Sequence, residues 1–186
     1  MSDMHIRQVA LRSGEELQND TKVSAKALTE GIGVVFDDDL ELEAFVGPAG
    51  GREVCYVTLD LPYPLDEAER QLWAFDFSLL GFRPVISDGV AELVDNNTLM
   101  WRPSDEVGAW LPHLPSRLRE MGIEQPALAH LTLKGNFIWG AGGRRRSNYL
   151  DGEAFGFGEG AETHIRFPTG DERLGGDFEM WFWLVG

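Results

Sequence analysis

The sequence has very little cysteine and no long hydrophobic run. Cys55 is the single cysteine among 186 residues, so no intramolecular disulfide can form. It lies in the apolar segment 54–59, which predicts a strand in which the thiol behaves as a small hydrophobic group. No segment approaches the roughly 20 apolar residues that a membrane helix needs, and residues 1–20 lack the apolar core of a signal peptide. We therefore expect a cytoplasmic domain that folds without a disulfide or a structural metal.

Positive charge is also scarce. Lysine and arginine together number 16 against 31 acidic residues, which gives a net charge of -15. Such a charge repels nucleic acid and anionic lipid surfaces, so we predict neither as a direct partner. The acidity either keeps the protein in solution or provides a face that docks a basic protein partner.

The apolar patterns predict one compact α+β domain over residues 1–186, built mainly on an antiparallel sheet. Segments 31–36, 40–46 and 53–61 are typical of strands, and the second of them alternates apolar and acidic residues. Because loops separate these segments, they predict an antiparallel meander near residues 31–61. Two or three helices are expected to pack on the sheet.

The clearest helix signal covers residues 65–80, where apolar residues recur at helical spacing and Gly81 supplies a stop. Residues 104–121 predict a second helix that Pro112 and Pro115 break, because proline removes a hydrogen bond and clashes with the preceding turn. The segment 178–185 is apolar on both strand faces. This pattern predicts a strand in the middle of a sheet or at a subunit interface.

The acidic residues concentrate between residues 30 and 69, and five of them predict a partner-binding surface. They are Asp37, Asp38, Asp39, Glu41 and Glu43. Like charges on one face repel unless a basic partner, salt or solvent compensates. The spacing lacks the alternating ligands and central glycine of a calcium-binding EF-hand loop, so we assign no metal ligand.

A second candidate site lies in the glycine-rich last third. The basic run Arg144, Arg145 and Arg146 follows three glycines and could grip phosphate or carboxylate, although no Walker motif is present. Glu162 and His164 would share one strand face and could form a dyad. No histidine has zinc-ligand spacing, and neither an HExxH nor a CxxC pattern occurs.

Three functional classes follow from these patterns. The first is an acidic protein-binding module, such as an inhibitor or immunity protein that neutralises a basic toxin or nuclease. The second is a small enzyme or ligand-binding protein that uses Arg144–Arg146, Glu162 and His164. The third is a homo-oligomer assembled through the C-terminal strand. We assign no catalytic residue and no cofactor.

Overall fold

The computed structural model describes residues 4–41, 54–63, 81–141, 148–159, 162–173 and 175–186. Its strands in chain order are Ile6–Leu11 (β1), Lys22–Ser24 (β2), Ile32–Phe36 (β3), Cys55–Tyr63 (β4), Gly81–Ser87 (β5), Gly89–Asp95 (β6), Thr98–Pro103 (β7), Ala127–Leu133 (β8), Gly156–Glu159 (β9), Glu162–Ile165 (β10) and Phe178–Val185 (β11). Its α-helices are the single turn Ala25–Leu28 (α1), then Asp105–Trp110 (α2) and Leu114–Glu120 (α3).

These strands form two larger sheets and one small ribbon. The four-stranded sheet has the order β1-β3-β7-β6, and the five-stranded sheet has the order β2-β11-β8-β4-β5. All neighbours are antiparallel except β2 and β11, which run parallel. The strands β9 and β10 pair separately as an antiparallel ribbon.

Alternating burial explains why these segments become strands with a core face. In β11 the side chains of Phe178, Met180, Phe182 and Leu184 are buried, while their neighbours are more exposed. The strand lies inside the five-stranded sheet, between β2 and β8, as one of the two readings of its apolar pattern predicted. The other face of β11 is less buried. The prediction that both faces are covered is therefore confirmed for one face only.

The fold is mostly β, which corrects the predicted α+β balance. Apart from the single turn α1, the described helices are only α2 and α3, with six and seven residues. The predicted break in residues 104–121 is confirmed, because a 3-10 turn over Leu111–His113 separates the two helices and contains Pro112. The predicted helix over 65–80 lies outside the described residues.

The predicted meander near residues 31–61 is wrong in its pairing. β3 has β1 and β7 as its two neighbours, whereas β4 lies in the other sheet, between β8 and β5. Successive strands here belong to different sheets, and alternation along a strand carries no information about its partner. Of the predicted strand 40–46, only Leu40 and Glu41 are described, and Leu40 forms an isolated bridge with Gly140.

The two large sheets are connected at the sheet corner between β5 and β6. β5 is the last strand of the five-stranded sheet, β6 is the last strand of the four-stranded sheet, and Asp88 alone connects them. The backbone N–H of Ser104 donates to the carbonyl of Asp88 at 2.9 Å, which brings the start of α2 to this corner. None of the described helices is long and apolar enough to cross a membrane.

Candidate binding cleft

A cleft of about 430 Å³ opens between the β4–β5 pair and helix α2. Its lining residues are Leu59, Leu61, Val85, Ile86, Ser87, Asp88, Ser104, Glu106, Val107 and Trp110. The cleft exists because α2 is held at the sheet corner through Ser104 but buries none of its own residues. Its volume falls within the usual range for ligand pockets, and we refer to it as the β5–α2 cleft.

The walls of the β5–α2 cleft are apolar and partly exposed. Leu59 and Leu61 of β4 are buried, and Val85 pairs with Leu59 across the β4–β5 ladder. Val85 is 46% exposed and Trp110 37%, which are high values for large hydrophobic side chains. Ile86 is 65% exposed, but it pairs with Thr58 and its side chain lies on the opposite face of the strand from Val85. Val85 and Trp110 therefore form the exposed apolar part of the cleft, and exposed apolar patches mark interaction sites.

Ser87 is the unusual polar group in the lining of the cleft. The residue is 8% exposed, and its Oγ atom has no hydrogen-bond partner. The other lining serine, Ser104, uses its Oγ to accept the backbone N–H of Val107 at 3.4 Å and so caps α2. Buried hydroxyl groups are nearly always hydrogen-bonded, so the Ser87 hydroxyl needs an explanation.

The rim of the cleft is acidic. Asp88 and Glu106 line it and are exposed, and Asp105 is the exposed neighbour of Glu106 on α2. A smaller hollow of about 280 Å³ lies beside it and includes Asp105, Glu92 and the half-buried Arg102. The surface around the start of α2 therefore carries four exposed carboxylates in addition to its apolar patch.

The described acidic residues of the predicted partner-binding surface differ in exposure and in their partners. Asp37 turns toward His5, whose backbone N–H and Nδ1 lie 2.7 and 2.8 Å from its two carboxylate oxygens. Asp38 is exposed and accepts the side-chain amide of Asn148 at 2.9 Å. Asp39 is exposed and Glu41 is half-buried, while Glu43 lies outside the described residues. We call the exposed pair Asp38 and Asp39 the acidic turn.

The second predicted site is described only in part. Arg144, Arg145 and Arg146 lie outside the described residues, and Glu162 is described only as a backbone position in β10. His164 is half-buried, and its ring lies 5.6 Å from the ring of Phe157 on the facing strand β9. Among these residues, His164 is the one whose side chain is described, and it does not line the β5–α2 cleft.

An acidic cluster around the buried Asp151, which the sequence analysis missed, lies elsewhere in the fold. Carboxylate oxygens of Asp151, Glu153 and Asp171 lie within 4.8 Å of one another, which is the donor set of a divalent-cation site. Asp151 is completely buried, however, and its carboxylate already accepts the backbone N–H groups of Asp171 and Glu172. Burial and a hydrogen bond with Asp151 raise the pKa of Glu153. We therefore interpret the cluster as a structural tie.

Comparisons with protein-family models, with curated proteins and with solved structures found no match to this chain. A function for the chain has to be derived from its own geometry.

Proposed function

We propose that the protein is a binding module for a basic protein partner and that the β5–α2 cleft is its docking surface. The observation that carries this proposal is the combination of exposed apolar side chains with an acidic rim. Specific protein interfaces have an apolar centre surrounded by polar residues, and their anchors fill pockets near that centre. Val85 and Trp110 would form the centre, and Asp105 and Glu106 would belong to the rim.

The charge of the chain supports a cationic occupant. A net charge of -15 attracts a basic protein over long range and raises the rate of encounter at low salt. The same charge disfavours a second copy of this chain, because two such molecules repel each other. β8 and β2 also flank β11 within its own sheet, which leaves less of its edge for assembly through the C-terminal strand.

An inhibitor or immunity protein that neutralises a basic toxin or nuclease is the specific form of this proposal. The acidic turn would contribute to the long-range electrostatic attraction of the partner, but no exposed apolar patch is described beside it. The proposal therefore moves the contact surface from the predicted acidic residues to the cleft. A cytoplasmic setting remains part of the prediction.

The test compares two variants with the same change in net charge. Asp105→Asn with Glu106→Gln neutralises the cleft rim, and Asp38→Asn with Asp39→Asn neutralises the acidic turn. A basic protein captured by the wild-type protein from host lysate at low salt is identified and purified, and its association rate is measured with each variant. Neutralising the rim should lower that rate roughly threefold to tenfold, and the difference should shrink at high salt.

The two variants separate the two possible surfaces. Loss of rate in the rim variant, with little change in the acidic-turn variant, supports the cleft. Loss only in the acidic-turn variant would assign binding to the surface that the sequence predicted. Capture of one protein by all forms at equal rates and at any salt concentration would refute the electrostatic proposal.

A further inference from the structure

The unpartnered hydroxyl of Ser87 indicates what kind of group the β5–α2 cleft accepts. We propose that the cleft is a socket for one aromatic side chain with a hydrogen-bonding tip, the phenol of tyrosine or the indole of tryptophan, supplied by the basic partner. This inference deepens the proposed function and depends on it for the source of the side chain. The chemistry of the socket can be tested without any partner.

The apolar walls favour a ring over a flexible chain. Leu59 and Leu61 present buried aliphatic surface, and Trp110 offers an exposed aromatic ring from α2. Aromatic pairs in offset or edge-to-face contact gain stability beyond the area that they bury. Tyrosine and tryptophan are also the side chains that most often anchor protein interfaces in pockets.

Ser87 adds the requirement for a polar tip. Its hydroxyl can both donate and accept, so it can pair with a phenol O–H or with an indole N–H. The Ser87 Oγ is already closed to water and unpaired, so a ring without such a tip leaves that cost in place, whereas a phenol or an indole that hydrogen-bonds to the hydroxyl relieves it. Ser87 therefore makes the socket selective between aromatic rings of similar shape.

The position of the acids excludes a cationic group from the buried part of the socket. The carboxylates in the lining belong to Asp88 and Glu106, which are exposed, whereas Ser87 is buried and neutral. A guanidinium or ammonium beside Ser87 would lose its hydration without gaining an ion pair. The basic residues of the partner are thus expected to flank the aromatic anchor and to meet the rim.

The experiment measures binding of p-cresol and toluene to the full chain by NMR titration, in wild-type protein and in Ser87→Ala. The quantity that decides is the ratio of the two dissociation constants, because each probe serves as the reference for the other. Loss of one neutral hydrogen bond in Ser87→Ala should raise the dissociation constant of p-cresol, relative to that of toluene, by about threefold to tenfold. Thermal unfolding of the variant checks that the fold is retained.

A pair of matched variants tests whether the probes occupy the cleft. Val85→Trp places a large side chain in the lining, whereas Val94→Trp makes the same change on β6, at a valine that is 44% exposed against 46% for Val85. Both probes should lose binding in Val85→Trp and keep it in Val94→Trp. Equal loss in both variants, or no loss in either, would overturn the assignment to the cleft.

The outcomes distinguish the socket from the proposed function. Binding of p-cresol that depends on Ser87, without any cleft-dependent basic partner, would support the socket and refute the function. A basic partner whose binding requires the cleft, together with a p-cresol to toluene ratio unchanged by Ser87→Ala, would support the function and overturn the socket. Absence of p-cresol binding would also overturn the socket.

Discussion

Replacing Asp151 by asparagine tests whether the acidic cluster around this residue stabilises the fold. Asp151 is completely buried, and its carboxylate oxygens accept the N–H of Asp171 at 3.0 and 3.1 Å and the N–H of Glu172 at 2.7 Å. Its backbone N–H donates to the carbonyl of Met4, and its carbonyl accepts the hydroxyl of Thr169. One residue therefore joins the N-terminal segment to the chain around residues 169–172.

Asparagine keeps one acceptor oxygen and replaces the other by an amide that cannot accept. An asparagine oxygen in the Oδ2 position still accepts both backbone N–H groups, but the charge that strengthens these bonds is lost and the Asp171 N–H then also faces an amide donor. Removing the Asp151 charge also relieves its repulsion with the Glu153 carboxylate, which offsets part of this cost. We expect Asp151→Asn to lower the free energy of unfolding by about 2–4 kcal/mol.

Urea denaturation at pH 7, followed by tryptophan fluorescence, measures this change. Glu30→Gln is the control, because Glu30 is an exposed acid and its loss should change stability by no more than about 0.5 kcal/mol. If Asp151→Asn were as stable as this control, the cluster would not act as a structural tie. A gain in stability would mean that repulsion among its carboxylates dominates.

Three further predictions follow from the described contacts. Burial and the hydrogen bond with Asp151 raise the pKa of Glu153 above its usual 4.5, so the folded state binds the proton more tightly than the unfolded state does. The free energy of unfolding should therefore fall as the pH rises through this region. Glu153→Gln should reduce this dependence on pH when unfolding is measured from pH 4 to 7. Complete burial raises the pKa of Cys55 to about 12, so the thiol should not react with a disulfide reagent at pH 8 until urea unfolds the protein, and fast labelling of the native state would contradict its burial. Pro84 lacks an N–H donor in the terminal strand β5, and Pro84→Thr should therefore promote edge-to-edge association that light scattering detects as a larger mass; an unchanged mass would show that Pro84 does not protect this edge.

Local signals predicted several elements because their causes are local. The apolar residues of β11 alternate at the strand period, and Pro112 interrupts a helix wherever that helix packs. The burial of Cys55 followed from its apolar neighbours in the same way. Sheet order was not predictable, because the pairing of β1 with β3 and of β2 with β11 depends on contacts between distant segments.

The candidate site depended on such a distant contact. The segment around Ser87 and Asp88 was predicted only as a turn between short strands, and Ser104 only as the start of a helical stretch. The hydrogen bond from the Ser104 N–H to the Asp88 carbonyl brings the two segments together and creates the cleft. One signal in the sequence could have pointed there, since consecutive apolar residues such as Val85 and Ile86 must place one side chain on each face of a strand.

Site-specific photo-crosslinking tests the central claim, that a basic protein docks at the β5–α2 cleft. A benzoylphenylalanine placed at Val85, which is 46% exposed and shares the strand face of Leu59, reports contacts at the cleft, and the same residue at Val94 on β6, which is 44% exposed, is the control. We predict that a basic protein from the host crosslinks at position 85, that high salt reduces the yield, and that position 94 gives little product. Equal crosslinking at both positions, or a product at position 85 that is acidic and insensitive to salt, would contradict the proposed docking surface.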